Sequence, residues 1–341
     1  TFTSASGGKS YDVAPGDQPL DPTFLDTRYA ISGNWQQALG EASRWNIGFS
    51  GSDEYDYLHI GVNTRFEFDL NRRNTTVFFG AAYAQDEVDP VGGAPIGFSP
   101  MPGESEDEDE DEDEAGEGGS GEDKDVVDVL VGVTQVLSRR SLVEVAFSYG
   151  KSDGYLTDPY KLLSVVDPVS GQPVPGPEPG INLYLFEQRP DSRAKTSAFI
   201  EWRYAFDRDS LALNYRFMDD DWDIQSHTVE ARYRWNINDN SYLEPHLRYY
   251  QQTAADFFRT VLFDGDPLPA YASADLRLAD SKTYTAGLKY GHRTERGEFS
   301  LRLEYYRQEA DASSGSAVGD LADFDLAPRL DAVIAQFGYK F

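Results

Sequence analysis

The chain ends on LDAVIAQFGYKF, Leu330–Phe341, and these residues alternate strictly. Val333, Ala335, Phe337, Tyr339 and Phe341 fall on one face of an extended strand, while Ile334, Gln336, Gly338 and Lys340 fall on the other. One face is therefore apolar with an aromatic edge. Sheets of a water-soluble β-sandwich alternate too, but an aromatic-x-aromatic-x-aromatic strand that stops the chain on Phe predicts the closing strand of an outer-membrane barrel. Phe337, Tyr339 and Phe341 are then the signal that barrel-assembly machinery reads.

Composition agrees. A mean hydropathy of -0.55 and 40% hydrophobic residues leave no apolar run long enough to cross a membrane as a helix. A transmembrane β-barrel escapes that test, because only every second residue of a strand meets lipid. Aromatics reach 13%, with 21 Tyr and 20 Phe, as interfacial girdles require. Cys is absent, which excludes cysteine-ligated metal, c-type haem attachment and thiol catalysis by this chain. No signal peptide opens the sequence at Thr1, so it reads as a processed or truncated form.

Working back from the closing strand, period-two alternation predicts about thirteen strands. Clear outward faces are Trp45/Ile47/Phe49, Leu58/Ile60/Val62, Val77/Phe79/Ala81/Tyr83, Val127/Val129/Val131/Val133 and Val143/Val145/Phe147/Tyr149. Ile200/Trp202/Tyr204/Phe206, Leu211/Leu213/Tyr215/Phe217, Val229/Ala231/Tyr233/Trp235 and Phe299/Leu301/Leu303/Tyr305 continue the series. Polar turns such as Asn71–Asn74 and Asn238–Asn240 alternate with long segments at Asp86–Asp125 and Ser152–Arg193. Short turns belong to the periplasm and long loops to the outside. The expectation is an all-β, antiparallel up-and-down barrel, residues 1–341 forming one domain in the bacterial outer membrane, with a periplasmic C-terminus and an acidic extracellular insert at 86–125. Single-chain bacterial barrels have even strand numbers, so an odd number of strands is expected upstream of Thr1.

The opposite faces are polar. Arg65, Glu67, Glu201, Arg203, Arg216, Glu230, Arg232, Arg234, Glu244, His246, Arg248, Arg302 and Glu304 are predicted to line the lumen. Their charges nearly cancel, and pairing across strands stabilises each by about 0.2–1 kcal/mol. Small inward residues such as Gly48, Gly61, Gly132 and Gly287 are expected to leave room for a core. The net charge of -29 consequently comes from loops. Glu104–Asp125 holds fourteen acids and one lysine, too dense in like charge to fold. It reads as a solvated loop tip, or alternatively a diffuse divalent-cation sponge lacking the spaced ligands of a Ca²⁺ loop. The sign of the charge disfavours nucleic acid.

Catalytic constellations are thin, and no enzyme is expected. Only His227, beside Asp219, Asp220, Asp221 and Asp223, could group with carboxylates at the outer rim. The four aspartates are more ordinarily solvated or weak Ca²⁺ ligands. His59 and His246 point inward and His292 lies at a periplasmic turn; for His246, flanked inward by Glu244 and Arg248, a place in the wall ladder is a simpler role than metal binding.

The stretches GYLTDPYK (Gly154–Lys161), NYRFMDDDWDIQSHTVEARYRW (Asn214–Trp235) and LEPHLRYYQQTAADFF (Leu243–Phe258) resemble an uncharacterised proteobacterial outer-membrane barrel family, a domain of unknown function. The resemblance runs over Leu25–Phe341 apart from the acidic insert. It implies about three further strands before Thr1, hence sixteen in the intact protein. It also implies a gene neighbourhood with a small lipoprotein, a flavin transferase and a thioredoxin-like protein. The implied role is a sheath for a flavinylated lipoprotein that carries electrons across the outer membrane. This chain would bind no cofactor itself, the flavin (FMN) belonging to the partner threaded in the lumen, with membrane lipids outside. A passive channel or transporter is the alternative, and a surface enzyme or adhesin the third reading.

Deleting Glu104–Asp123 is expected to leave the heat-modifiable folded band intact on electrophoresis, because a segment of that charge density contributes no core.

Overall fold

The computed structural model describes residues 2–3, 10–11, 27–90, 92–101, 121–177, 182–311, 318–323, 326–327 and 329–341. Thr1, Asp26 and most of the acidic insert lie outside them. Thirteen strands form one sheet. They are β1 (Tyr29–Ala38), β2 (Ser43–Asp53), β3 (Tyr57–Leu70), β4 (Thr75–Val88), β5 (Glu122–Ser138), β6 (Ser141–Gly154) and β7 (Ser192–Ala205). The series continues with β8 (Ser210–Asp220), β9 (Gln225–Asn236), β10 (Ser241–Gln252), β11 (Asp280–Thr294), β12 (Gly297–Asp311) and β13 (Leu330–Lys340). Each pairs antiparallel with its neighbours in sequence, and β1 and β13 are the two free edges. The sheet is an up-and-down meander that does not close on itself. No described helix is long and apolar enough to cross a membrane.

Alternation sets the two faces as the sequence predicts. Ile47, Val62, Phe79, Val131, Leu213 and Leu301 are exposed on one face, the face that meets lipid in a closed barrel. Aromatic rings concentrate at both ends of it. At the short-turn end Trp45 stacks on Phe66, and Trp202 meets Tyr204 and Phe299 meets Tyr339 at tilted angles. At the other end Tyr249 meets Tyr284, and Tyr215 meets His227. Rings with a polar tip suit the two membrane–water boundaries.

Connections at one end are tight turns at 39–42, 71–74, 139–140, 206–209, 237–240 and 295–296. At the other end lie 54–56, 89–121, 155–191, 221–224, 253–279 and 312–329. The insert is shorter than 86–125, because β4 runs through Val88 and β5 resumes at Glu122. Lys124 explains the extension, its ammonium lying 2.7 Å from Asp86 Oδ2 across the pair.

The loops at 155–191 and 253–279 fold rather than trail. Leu162–Val166 pairs antiparallel with Tyr184–Phe186 and parallel with Val261–Phe263. Leu163, Val165, Leu185, Leu262 and Ala272 form a buried core between them. The loop after β4 joins this small sheet, since the Phe98 and Met101 N–H groups donate to Phe186 and Tyr184. A second core gathers Trp222, Ile224, Ala255, Phe257, Phe258 and Leu278, and Met218 and Ala310 pack beneath it. By parity Met218 and Ala310 belong to the polar face of β8 and β12. The cap therefore tucks into the mouth of the barrel.

Val131→Arg, at mid-strand on the apolar face, is expected to destabilise the folded barrel by about 2–4 kcal/mol, with a smaller cost for Ser148→Arg on the opposite face. Urea titration read by heat-modifiable migration measures both.

Candidate functional site

The inner wall and the cap that overhangs it hold most of the chain's paired charges. On the wall, Arg44 spans to Glu67 at 2.9 Å and to Asp69 at 2.7 Å, both on β3. Arg234 reaches Glu244 at 2.9 Å. His246 Nδ1 is 2.7 Å from Glu304, and its Nε2 is 3.4 Å from Glu230. These pairs cross between strands as a ladder should. Many others do not. Arg65 binds Glu67, Arg232 binds Glu230, Arg203 binds Glu201 and Arg302 approaches Glu304, each along its own strand. Inward residues two apart in sequence are neighbours on one face, and a long guanidinium reaches that far easily. Glu201 even faces Glu144 directly across β7 and β6.

Aromatic rings on the inner face, which the reading of a purely polar interior missed, cover further cations. Arg65 lies 4.0 Å over Phe78, Arg234 lies 4.0 Å over Tyr242 and Arg216 lies 5.5 Å over Phe199. Phe78 and Tyr242 are buried because each faces a glycine across the ladder, Gly132 and Gly291. The inward glycines consequently do not leave the wall hollow. Phe78 fills the space above Gly132, Asp128 that above Gly150 and Glu304 that above Gly287. Arg248 makes no ion pair among the described residues, because Glu230 opposite it is engaged by Arg232 and His246. It lines an inner-wall cavity of about 240 Å³ together with Tyr250, Gln252, Ser281, Thr283, Tyr306, Gln308 and the cap's Arg277.

In the Asp219–Asp223 turn Asp221 and Asp223 are exposed, whereas Asp220 is built into the structure. Asp220 is buried and accepts from Arg193 Nε at 2.8 Å and from the N–H groups of Trp222 and Ile224. Asp221 accepts from the Ala194 N–H, and Asp219 from the Gln225 amide. Asp223 adopts a positive φ of 64°. The carboxylates thus diverge, and no group of three or more metal-ligating side chains converges among the described residues. His227 is not grouped with them either. Its Nδ1 is 2.8 Å from the Tyr215 hydroxyl, and its ring stacks on Tyr215 and lies tilted against Phe217 on the apolar face. His292 Nδ1 is 2.9 Å from the Ser241 hydroxyl near the short-turn end.

The three stretches that carry the family resemblance meet in the cap. Leu156 comes from the first, Trp222 and Ile224 from the second, and Ala255, Phe257 and Phe258 from the third. A buried ionic chain ties this core to the small sheet. Asp158 N–H donates to Glu187, Glu187 pairs with Arg189 at 2.6 Å, and Arg189 reaches Asp275 at 2.8 Å. Arg277 bridges Asp275 and Asp158. Burial pushes the Glu187 carboxyl above the usual carboxylate range, against the opposing pull of Arg189 and Ser273. Burial acts the same way on Asp275, but the Arg277 hydrogen bonds and the charges of Arg277 and Arg189 prevail and bring it down to about 2.

Asp275→Asn removes the acceptor that Arg189 and Arg277 share, which should cost about 3–5 kcal/mol and expose the 253–279 loop to trypsin at neutral pH. In the wild-type chain the Asp275 contribution is complete above about pH 4 and lost as pH falls toward 2. Glu187 has the opposite sign, holding its proton more tightly when folded, so its ionisation weakens the cap as pH rises. Fluorescence of Trp222, with the other tryptophans replaced by Phe, should report loosening of the cap toward pH 2.

Comparison with solved structures places this geometry among barrels. The ferric enterobactin receptor PfeA of Pseudomonas aeruginosa, in complex with enterobactin, superposes with a TM-score of 0.51 at 10% identity, covering 92% of this chain and 49% of that one. The same receptor in complex with BCV-L6 gives 0.50 at 9% identity, covering 92% and 49%. The siderophore receptor PirA of Acinetobacter baumannii gives 0.49 at 11% identity, covering 92% and 47%. The chain spans about half the length of these receptors, and the likeness is one of fold, that of an outer-membrane β-barrel. No curated protein matches the chain. A family profile described as "Protein of unknown function (DUF3570)" matches residues 1–341. The chain belongs to that family.

Proposed function

We propose that the protein sits in the bacterial outer membrane, cap outward and C-terminus periplasmic, and sheathes a small flavin-bearing lipoprotein that relays electrons across that membrane. The observation that carries this reading is the cap. Its Trp222 core rests on Met218 and Ala310 of the inner wall, so the outer mouth is overhung by packed structure rather than open as in a wide aqueous pore.

The wall supports the same reading. A strongly ion-selective channel presents rings of one charge sign, whereas here most acids and bases are mutually paired. Such a wall can bind a polypeptide by hydrogen bonds and local exchange of ion pairs. Small size of the inward residues no longer argues for a core, because neighbouring side chains fill the space above the glycines. The chain has no Cys to attach haem, so the redox centre belongs to the partner, as the resemblance to the family implies.

Co-expressed with a candidate lipoprotein, the intact protein is expected to purify with bound flavin absorbance and to show a closed state in planar bilayers. Large, stable conductance that the lipoprotein leaves unchanged would exclude the sheath and leave the passive channel.

A further inference from the structure

Ser50, His59 and Asp86 stand together on the inner faces of β2, β3 and β4, near the loop end. The Ser50 hydroxyl is 3.0 Å from His59 Nε2, and His59 Nδ1 is 2.6 Å from Asp86 Oδ1. Asp86 is buried, and Lys124 holds its second oxygen at 2.7 Å. An ionised carboxylate only accepts, so in the neutral ring Nδ1 carries the proton and Nε2 is left as the acceptor for the Ser50 O–H. Nucleophile, base and orienting acid are thus linked in the order that acyl-transfer hydrolysis uses.

The surroundings are more than a wall ladder needs. Ser50 faces Gly61 across the β2–β3 pair, and a side chain at Gly61 would stand 2.8 Å from Ser50 Oγ and 3.1 Å from His59 Nε2. The hydrogen bond is made over a bare glycine. At the next inward position, Gly48, Asn34 Oδ1 and the Asn63 amide Nδ2 converge on the space a side chain would fill. Ala84 and Ala82 floor the same basin on β4. Ser52, which faces His59 directly, is not the partner, because its hydroxyl accepts from Arg28 at 3.2 Å instead. Ser50 and His59 are half-buried and Asn34 and Asn63 exposed, so a small molecule can enter.

We propose that this basin is an ester-hydrolysing site. Ser50 is the nucleophile, His59 the general base and acid, and Asp86 the residue that positions it. The Asn63 amide N–H supplies a donor for the oxyanion. The substrate class is a small carboxylic ester with a short acyl group, because the basin is walled by Gly and Ala and a long chain would run onto charged wall. Ser50 Oγ attacks the carbonyl carbon as its proton passes to His59 Nε2. The ester C–O bond breaks, and the departing alkoxide takes that proton. Water then attacks the acyl-serine, giving one proton to His59, which returns it to Ser50 as the acid leaves. Ester and water become acid and alcohol with no cofactor.

The test uses the chain folded in detergent, checked by its heat-modifiable band, with a fluorophosphonate probe and p-nitrophenyl acetate. Peptide mapping is expected to find the phosphonyl adduct on Ser50. Ser50→Ala and His59→Gln should each lower hydrolysis by at least about 100-fold, whereas Ser52→Ala should leave it unchanged. Asp86→Asn should lower kcat and move the rising limb of the pH profile to lower pH, a change that loss of structure alone does not produce. Gly61→Ala should cut labelling by displacing the Ser50–His59 bond. Absence of an adduct on Ser50 in the folded protein, or hydrolysis that survives Ser50→Ala, overturns the assignment.

Discussion

Every backbone N–H and C=O inside a bilayer must find its partner within the protein, and between its two free edges this chain meets that demand with one continuous antiparallel ladder. The ladder fixes the period at two, so each residue's face follows from its neighbours'. Lipid then selects Val, Leu, Ile and aromatic residues on one face, and the other is left free for polar chemistry. Side chains far apart in sequence become neighbours through the same registers: Phe78 lies over Gly132, Tyr242 faces Gly291, and His59 faces Asp86.

That constraint also marks what was readable from sequence. Alternation needs only local information, so the thirteen strands and their antiparallel order were legible. Register is not local. Glu201 was read as one rung of a cross-strand ladder, yet it faces Glu144 and pairs with Arg203 on its own strand. Phe78 is inward by parity, but its burial depends on a glycine more than fifty positions away. Ser50, His59 and Asp86 escaped for the same reason, since three strands must be aligned before their atoms meet. Parity had set His59 inward, but Asp86 had been read as the start of the insert, and the glycines opposite and beside Ser50 were the remaining signal.

The cap was misread for a different reason. Loops at a barrel's open end are expected to be polar and solvated, and four aspartates within five residues fit that expectation. Asp220 nonetheless forms the inner hinge of the turn, because a carboxylate that accepts from Arg193 and two backbone N–H groups satisfies donors the turn would otherwise bury unpaired. Trp222 and Ile224 follow it and gave the apolar clue, since two large apolar residues in so short an exposed turn need a partner surface. Phe257 and Phe258 provide it from another loop.

Cap and basin are mechanically joined. Tyr160, in the loop that carries the cap's ionic chain, donates its hydroxyl to Asp56, which lies in the turn between β2 and β3. Those are the strands that hold Ser50 and His59. Burial and the Asp56 carboxylate both raise the Tyr160 phenol well above its usual range, so the phenol remains a donor at any physiological pH. The Asp158 N–H, two residues before Tyr160, meets Glu187 at the start of the buried chain. A shift in that chain therefore has a covalently short and hydrogen-bonded route to the β2–β3 hairpin. Order in the cap and the shape of the basin mouth depend on the same contacts.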